Sequence, residues 1–167
     1  EVRLDAAGLH IGAGVRLAQV ESDPRVREAY PVLAQAAASV ATPQIRQMGT
    51  VGGNLCQRPR CLYYRNALFP CLKKGGRECY VVLGESRYSA ILGGNPCFIV
   101  HPSDLAPALI ALDAQIQVAG PWGAGEVPLE KLYLRPRDNL TSETSLSSGG
   151  LVTGVSVPPP PSGLRSV

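Results

Sequence analysis

The sequence predicts an α+β fold with short elements and a real hydrophobic core. Apolar residues make up 45% of the 167 residues, which is enough to fill one ordinary domain or two small ones. Strand and helix patterns follow each other irregularly, without the regular strand-helix-strand order of a parallel sheet. Eighteen glycines and fifteen prolines indicate many turns. These observations exclude a disordered chain and a bundle of long helices.

The first part of the chain predicts one strand and one long helix. Residues Leu9–Ala13 have a short strand pattern that runs into a glycine-containing turn. From Asp23 to about Val40, apolar residues recur at steps of three and four, with Pro24 suited to the first turn. The helix is predicted to end before Pro43, because the residue preceding a proline disfavours the helical conformation. Residues 42–54 are then predicted as a loop.

The second part predicts three strands, one helix and one turn. The helix runs from Pro102 to Leu112, and Ser103 is suited to cap its first turn. A hairpin-like turn is expected at residues 120–125. The strands are expected at Phe98–Val100, Gln115–Val118 and Leu151–Val157.

Charge and hydropathy exclude two classes of partner. A net charge of +3 is too mild for a nucleic-acid-binding protein, and no basic stripe alternates with the sparse aromatic residues. No run approaches 18 apolar residues, and the first residues lack the basic and apolar regions of a signal peptide. The sequence predicts no nucleic-acid partner, no membrane span and a cytoplasmic location, with export alongside a partner subunit as the alternative.

The segment from Gln44 to Asn54 has the composition of an anion-binding loop. Three glycines and Thr50 fall within five positions, so backbone N–H groups can approach an anion without obstruction by Cβ atoms. The Thr50 hydroxyl can add a hydrogen bond to a phosphate oxygen. The spacing fits neither the dinucleotide fingerprint nor the P-loop. A pyrophosphate cradle and a plain glycine turn both remain open.

Five cysteines lie within 42 residues, namely Cys56, Cys61, Cys71, Cys79 and Cys97. An odd number without a signal peptide argues against a disulfide framework. Structural zinc usually uses closely paired cysteines, whereas a cubane iron–sulfur cluster needs only four thiolates that converge in space. Six basic residues against one glutamate between Cys56 and Cys79 favour an anionic cluster. Zinc binding and free buried cysteines stay open as alternatives.

Two groups of motifs resemble a known family. Gln44-Ile45-Arg46 with Gly49-Thr50-Val51-Gly52-Gly53-Asn54-Leu55 resembles the FAD-binding medium subunit of the xanthine dehydrogenase/molybdenum hydroxylase family. Residues 102–109 and 111–114 resemble the same subunit. In most members the Ser-Asp element follows the Gly-Gly-Asn loop closely, whereas roughly fifty residues separate Asn54 from Ser103 here.

The additional residues resemble an insertion that holds a 4Fe-4S cluster. Such insertions occur in the flavin subunits of 4-hydroxybenzoyl-CoA reductase and of the bacterial aldehyde oxidoreductases. The segment from Gln57 to Asn66 is most similar to the aldehyde oxidoreductase branch.

The resemblance implies two cofactors and their ligands. FAD contacts would come from the loop and from the Ser-Asp element, at Ala41, Ile45, Thr50, Gly52, Gly53, Asn54, Ser103 and Asp104. The 4Fe-4S cluster would be held by Cys61, Cys71, Cys79 and Cys97, with Cys56 as a packing residue. No catalytic residue is expected, because nothing in the chain resembles a base, a nucleophile or a substrate pocket.

The resemblance also implies a function in electron transfer. The chain would be the FAD- and 4Fe-4S-binding subunit of an aldehyde or xanthine dehydrogenase-like molybdenum hydroxylase, inactive by itself. Its partners would be a large subunit with the molybdenum cofactor, a small 2Fe-2S subunit and an external electron acceptor. The alternative class is a non-catalytic zinc or iron–sulfur module that binds a partner protein.

The domain organisation follows from the same resemblance. Residues 1–134 would form the second subdomain of an FAD-binding domain, with the 4Fe-4S insertion at about residues 56–97. Residues 135–167 would form a linker and the start of a C-terminal α+β domain. The family's upstream glycine-rich segment has no counterpart before Glu1, so a fragment or an incomplete subunit is expected.

Overall fold

The computed structural model describes residues 1–160, which form two compact units. The first unit contains Glu1–Cys56, Ser103–Leu132 and residues 146–160, and the second contains Gln57–Pro102 and Tyr133–Ser145. Helices and an antiparallel sheet occur together, which confirms the predicted α+β class.

A five-stranded antiparallel sheet forms the base of the first unit. Its strands are β1 (Val2–Asp5), β2 (Gly8–Gly12), β3 (Gln115–Gly120), β4 (Gly123–Pro128) and β5 (Leu151–Val157). They are ordered β1-β2-β5-β3-β4. The strands predicted at residues 9–13, 115–118 and 151–157 are confirmed. The turn expected at residues 120–125 is shorter than predicted, because residues 123–125 belong to β4. Strands β1 and β4 are additions with mostly exposed side chains.

The sheet carries the core of the first unit on one face. Ile11 pairs with Val155, and Val155 pairs with Ile116, so three buried β-branched side chains stand in a row across neighbouring strands. Leu9 and Val157 form a second buried pair. Burial of each such side chain contributes about 1.5–3 kcal/mol relative to exposure, and cross-strand packing adds to it.

Seven α-helices occur within residues 1–160, and only α6 belongs to the second unit. They are α1 (Leu17–Ser22), α2 (Pro24–Ala29), α3 (Pro31–Ser39), α4 (Pro43–Met48), α5 (Val51–Leu55), α6 (Leu62–Arg65) and α7 (Leu105–Ala111). Helix α3 packs against α1, α2 and α7, and α5 packs against α7 and the strands β2 and β5. None of these helices has the length and apolar character needed to cross a bilayer.

The single helix predicted from Asp23 to Val40 is wrong, because the chain breaks into α2 and α3 at Tyr30. Pro31 lacks an N–H and excludes the helical conformation from the preceding residue, and Tyr30 has φ −135° and ψ 58°. The Tyr30 ring is buried, and its hydroxyl donates to the Pro158 carbonyl at 2.9 Å. The break therefore places an aromatic anchor in the core.

The loop predicted at residues 42–54 contains two short helices instead. Thr42 caps α4 by accepting a hydrogen bond from the Ile45 amide, and Thr50 caps α5 by accepting one from the Gly53 amide. The predicted end of the preceding helix before Pro43 is confirmed. The glycines of residues 42–54 favour a loop, but threonine capping outweighs their low helix propensity over a single turn.

The strand predicted at Phe98–Val100 is not formed. Within residues 1–160 this segment pairs with no strand, and the Phe98 carbonyl accepts a hydrogen bond from the Ala90 amide. The helix predicted after it is confirmed as α7, and the Ser103 hydroxyl caps it by accepting a hydrogen bond from the Ala106 amide at 3.1 Å.

A buried hydrogen bond joins the points where the chain leaves and re-enters the first unit. Asn54 in α5 and Ser103 before α7 are each 5% exposed. The Ser103 hydroxyl donates to Asn54 Oδ1 at 2.6 Å, and the Leu105 amide donates to the same oxygen at 3.4 Å. The segment Gln57–Pro102 therefore begins and ends at adjacent points of the first unit.

The second unit has little regular structure. Besides α6 it contains two 3₁₀ turns, at Leu72–Lys74 and Tyr80–Val82. The rings of Tyr63, Phe69 and Tyr80 form a triangle with centroids 5.1 to 5.8 Å apart. These aromatic contacts by themselves contribute too little free energy to keep so small a unit folded.

The two units do not follow the boundary expected after residue 134. Strand β5 lies between β2 and β3, so residues 151–157 belong to the sheet of the first unit. The start of a further C-terminal domain stays a prediction, and residues 161–167 of the expected linker lie outside the described residues.

Replacement of Gly8 by alanine is expected to destabilise the first unit. Gly8 has φ +119°, and a Cβ there would overlap the carbonyl oxygen of Val157. The backbone strain alone costs about 1–3 kcal/mol. Gly14 has no atom within 4 Å of an added Cβ, so Gly14→Ala is the matched control. Urea unfolding followed by circular dichroism measures the stability of the two variants. Equal stability would contradict the conclusion that Gly8 is required by its backbone conformation and by the nearby Val157 carbonyl.

Asn54→Ala and Ser103→Ala are each expected to lower the free energy of unfolding by about 1–3 kcal/mol, because each removes buried hydrogen bonds. Because both remove the same hydrogen bond, the double variant is expected to lose less than the sum of the single losses. Urea unfolding of the four proteins measures this coupling. Strictly additive losses would show that the two residues act independently.

Candidate cofactor sites

The residues predicted to contact FAD all lie in the first unit. Ala41 precedes α4 with φ +45°, and Ile45 lies on α4. Residues 50–54 form the start and body of α5, and residues 103–104 precede α7. Since α5 packs against α7, the structure brings the Gly-Gly-Asn element and the Ser-Asp element together. The contacts of these residues with FAD stay a prediction.

Helix α4 presents an apolar surface that the described chain leaves uncovered. Apart from Arg46, the residues of α4 are exposed, and Ile45 and Met48 are 54% and 74% exposed. Exposed large apolar side chains on one short helix are typical of a surface that a ligand or another segment covers. This surface fits the apolar wall that a flavin or adenine ring requires.

Two of the three motif glycines allow close packing, and the third is exposed. A Cβ on Gly52 would lie 2.8 Å from the Ala13 Cβ, and one on Gly49 would lie 3.2 Å from a Leu17 methyl group. Both glycines therefore allow close packing inside the first unit. Gly53 is exposed, and an added Cβ would meet only the Thr50 hydroxyl oxygen at 3.0 Å. Gly53 is thus the motif glycine whose backbone a ligand can reach.

Arg46 of the motif positions α4. Its guanidinium Nε donates to a Glu21 carboxylate oxygen at 2.7 Å, and Nη1 donates to the Val40 carbonyl at 3.0 Å. The Arg46 side chain is largely buried. A guanidinium held on both sides in this way fixes the ends of α1 and α3 relative to α4.

The predicted FAD residues thus divide into accessible and supporting groups. Gly53 and Asp104 are exposed and Thr50 is half-buried, so their polar atoms are accessible to a ligand. Gly52, Asn54 and Ser103 are buried, and the last two bond to each other.

Four of the five cysteines line one cavity of the second unit. Cys61, Cys71, Cys79 and Cys97 line a narrow cavity of about 10 Å³. Cys56 lies in the first unit and is not among the lining residues. The structure therefore brings together the four cysteines predicted as ligands and separates the fifth.

Burial disfavours the ionised form of two of the thiols, Cys97 and Cys56. Burial raises the pKa of the Cys97 thiol to about 11, the neighbouring Cys79 and Cys61 add to the rise, and the Lys73 ammonium opposes it. Burial also raises the pKa of the Cys56 thiol, which agrees with its predicted packing role. All five cysteines are free of disulfides.

The described residues form no ready-made site for a metal ion. Among residues 1–160 no group of three His, Cys, Asp or Glu side chains is arranged to hold one. Tetrahedral zinc with Zn–S bonds of about 2.3 Å requires sulfur atoms roughly 3.8 Å apart, whereas a cubane spreads its four thiolates around a larger core. Four thiolate donors around one cavity are the donor set of a cluster, and the 4Fe-4S assignment itself stays a prediction.

A buried ion pair beside the cysteines was not predicted from the sequence. Lys73 Nζ lies 2.6 Å from Glu143 Oε1, and Arg58 Nε lies 3.0 Å from Glu143 Oε2. The Lys73 and Glu143 side chains are 2% and 9% exposed. Glu143 lies in a polar stretch 70 residues beyond Lys73, so no local pattern indicates the pairing.

The chain matches a family described as the FAD binding domain in molybdopterin dehydrogenase, over residues 1–68 and 81–160. Residues 69–80, which include Cys71 and Cys79, lie outside the match. The chain is 39% identical over 159 residues to the aldehyde oxidoreductase FAD-binding subunit PaoB of Escherichia coli (strain K12), covering 93% of this chain and 50% of that protein. It is 43% identical over 54 residues to the nicotinate dehydrogenase FAD-subunit of Eubacterium barkeri, covering 32% of this chain and 18% of the relative.

Solved structures show the same fold. Carbon monoxide dehydrogenase from Hydrogenophaga pseudoflava aligns with a TM-score of 0.63 at 23% identity, over 98% of this chain and 41% of its own. Quinoline 2-oxidoreductase from Pseudomonas putida 86 aligns with a TM-score of 0.60 at 20% identity, over 96% of this chain and 40% of its own. The chain spans half the length of PaoB and less of the other proteins named here. With this fold and a family match over most of its length, the chain belongs to the FAD-binding domain family of the molybdopterin dehydrogenases.

Proposed function

We propose that this chain is the FAD- and 4Fe-4S-binding part of an electron-transfer subunit in a molybdenum hydroxylase. The chain's similarity to PaoB favours an oxidoreductase acting on aldehydes. The 4Fe-4S part of the proposal rests on the cysteines of the second unit. Electrons would enter from a molybdenum subunit and a small 2Fe-2S subunit and leave to an external acceptor. A cytoplasmic location, or export together with a partner subunit, belongs to the same proposal.

The accessible surface around α4 and α5 supports FAD binding. Gly53 has no side chain that would obstruct a diphosphate, and the Thr50 hydroxyl, which accepts from the Gly53 amide, can donate to a phosphate oxygen. Ile45 offers an apolar surface to a ring, and the exposed Asp104 offers a carboxylate to a hydroxyl or imide N–H. The chain's residues would bind and orient the cofactor, and FAD would supply the capacity to take up and release electrons.

The observation that carries the cluster proposal is the convergence of four cysteines on one cavity while Cys56 stays apart. The unit that holds them has a very small core. In the described chain its buried apolar residues are Cys71, Val81 and Cys97, besides Pro59. A unit of this kind needs a covalent or metal cross-link to stay folded, and four thiolate ligands provide one.

Exposed apolar side chains support the presence of partner subunits. Leu68, Leu83, Ile91 and Leu92 in the second unit are almost fully exposed. Apolar side chains in this number are unfavourable in water and typical of surfaces buried in an assembly. Since the described residues offer no substrate pocket with a base or nucleophile, turnover would depend on the partners.

The cluster proposal is tested by iron and sulfide analysis of the intact complex purified without air. Cys61→Ser, Cys71→Ser, Cys79→Ser and Cys97→Ser are each expected to lower the content by about four iron and four sulfide, because an alkoxide is a poorer soft ligand than a thiolate. Cys56→Ser is the matched control and is expected to retain the wild-type iron. Loss of iron in Cys56→Ser but not in Cys61→Ser would contradict the ligand assignment.

The FAD proposal is tested at Gly53. Gly53→Val is expected to abolish FAD retention in the complex, because the branched side chain would occupy the space next to Thr50 that a diphosphate needs. Gly125→Val on the exposed strand β4 is the control, since an added Cβ there meets no atom within 4 Å. Flavin released by acid is measured by absorbance, and equal FAD content in both variants would refute the site.

A further inference from the structure

We propose that the buried Lys73–Glu143 pair sets the reduction potential of the cluster held by the four cysteines, with Lys73 as the residue that favours the reduced state. The inference rests on the proposed function, because it assumes a cluster in the cysteine cavity. It concerns two side chains with no assigned role.

Lys73 is held in one position by several contacts. Its ammonium lies 2.6 Å from Glu143 Oε1 and donates to the Leu140 carbonyl at 2.9 Å. It also lies 5.9 Å from the centre of the Tyr64 ring. An ammonium that is 2% exposed loses most of its hydration, so these contacts must replace it.

Lys73 also lines the same cavity as Cys61, Cys71, Cys79 and Cys97. Lys73 is therefore a buried, positively charged neighbour of the position that four thiolates and a cluster would share.

The other charged groups near the pair have weaker or opposite effects. Arg58 bonds to Glu143 at 3.0 Å, but its side chain is more than half exposed, so solvent screens its charge. Burial lowers the pKa of His101, so its imidazole is neutral at pH 7. Glu143 is buried and negative. Lys73 is thus the buried cation, and Glu143 the buried anion, that act on the cavity.

Opposite charges predict opposite effects on the potential. One-electron reduction of a bound cluster by an external reductant adds one negative charge inside the cavity. A buried ammonium stabilises that added charge and raises the potential, whereas a buried carboxylate lowers it. A purely structural pair would instead affect stability or iron content, without opposite shifts in potential.

The test is a redox titration of the intact complex with dithionite and mediators, followed by the low-temperature EPR signal of the reduced 4Fe-4S cluster. Lys73→Met is expected to lower the midpoint potential, and Glu143→Gln is expected to raise it. The double variant is expected to return close to the wild-type value, because it removes both charges. Lys74→Met is the matched control, since Lys74 is exposed and does not line the cavity.

The outcomes separate this inference from the function on which it rests. Wild-type complex without the four additional iron atoms would overturn the cluster and the inference together. The inference alone would be overturned if the wild-type complex contains the cluster but the variants show no opposite shifts. In that case the midpoint potentials of Lys73→Met and Glu143→Gln would match that of Lys74→Met, or both would shift in the same direction. If Lys73→Met does not retain iron, Lys73→Gln, which can still donate to the Leu140 carbonyl, replaces it and is judged by the same criterion.

Discussion

The hydrogen bond between Asn54 and Ser103 is the constraint on which both cofactor sites depend. It closes the ends of the segment Gln57–Pro102, so a long insertion leaves the first unit without opening its core. Closing a segment of this length costs only slightly more entropy than closing a shorter one, provided that its ends are already adjacent. The same bond connects α5 with the start of α7, the two places where FAD contacts are predicted.

The flavin motif combines support and recognition within a few residues. Gly49 and Gly52 make close packing possible, and Arg46 holds α4 through Glu21. Only Gly53 of the three motif glycines leaves its backbone open to a ligand. A short sequence motif of this kind therefore combines residues that build the site with residues that touch its occupant, and burial separates the two groups.

The second unit depends on polar and sulfur contacts because its apolar core is small. Its buried residues include Cys71, Cys97, Lys73 and Glu143, which are side chains that a globular core normally avoids or pairs. A buried ion pair is costly unless both charges are compensated, and here Glu143 also contacts Arg58. Such an arrangement is consistent with a unit organised around a cofactor instead of around a hydrophobic interior.

The sequence by itself determined the α+β class, the strands at residues 9–13, 115–118 and 151–157, the cap of α7 and the family, because alternation, capping and motif residues act locally. It also grouped the four cysteines that line one cavity. At Tyr30 two local signals disagree, because the apolar pattern continues through the residue while Pro31 opposes the helix, and the structure shows that Pro31 prevails. The tertiary structure alone decided which motif glycine stays open, and the pairing of Lys73 with Glu143, because burial and contacts across 70 residues leave no trace in local spacing.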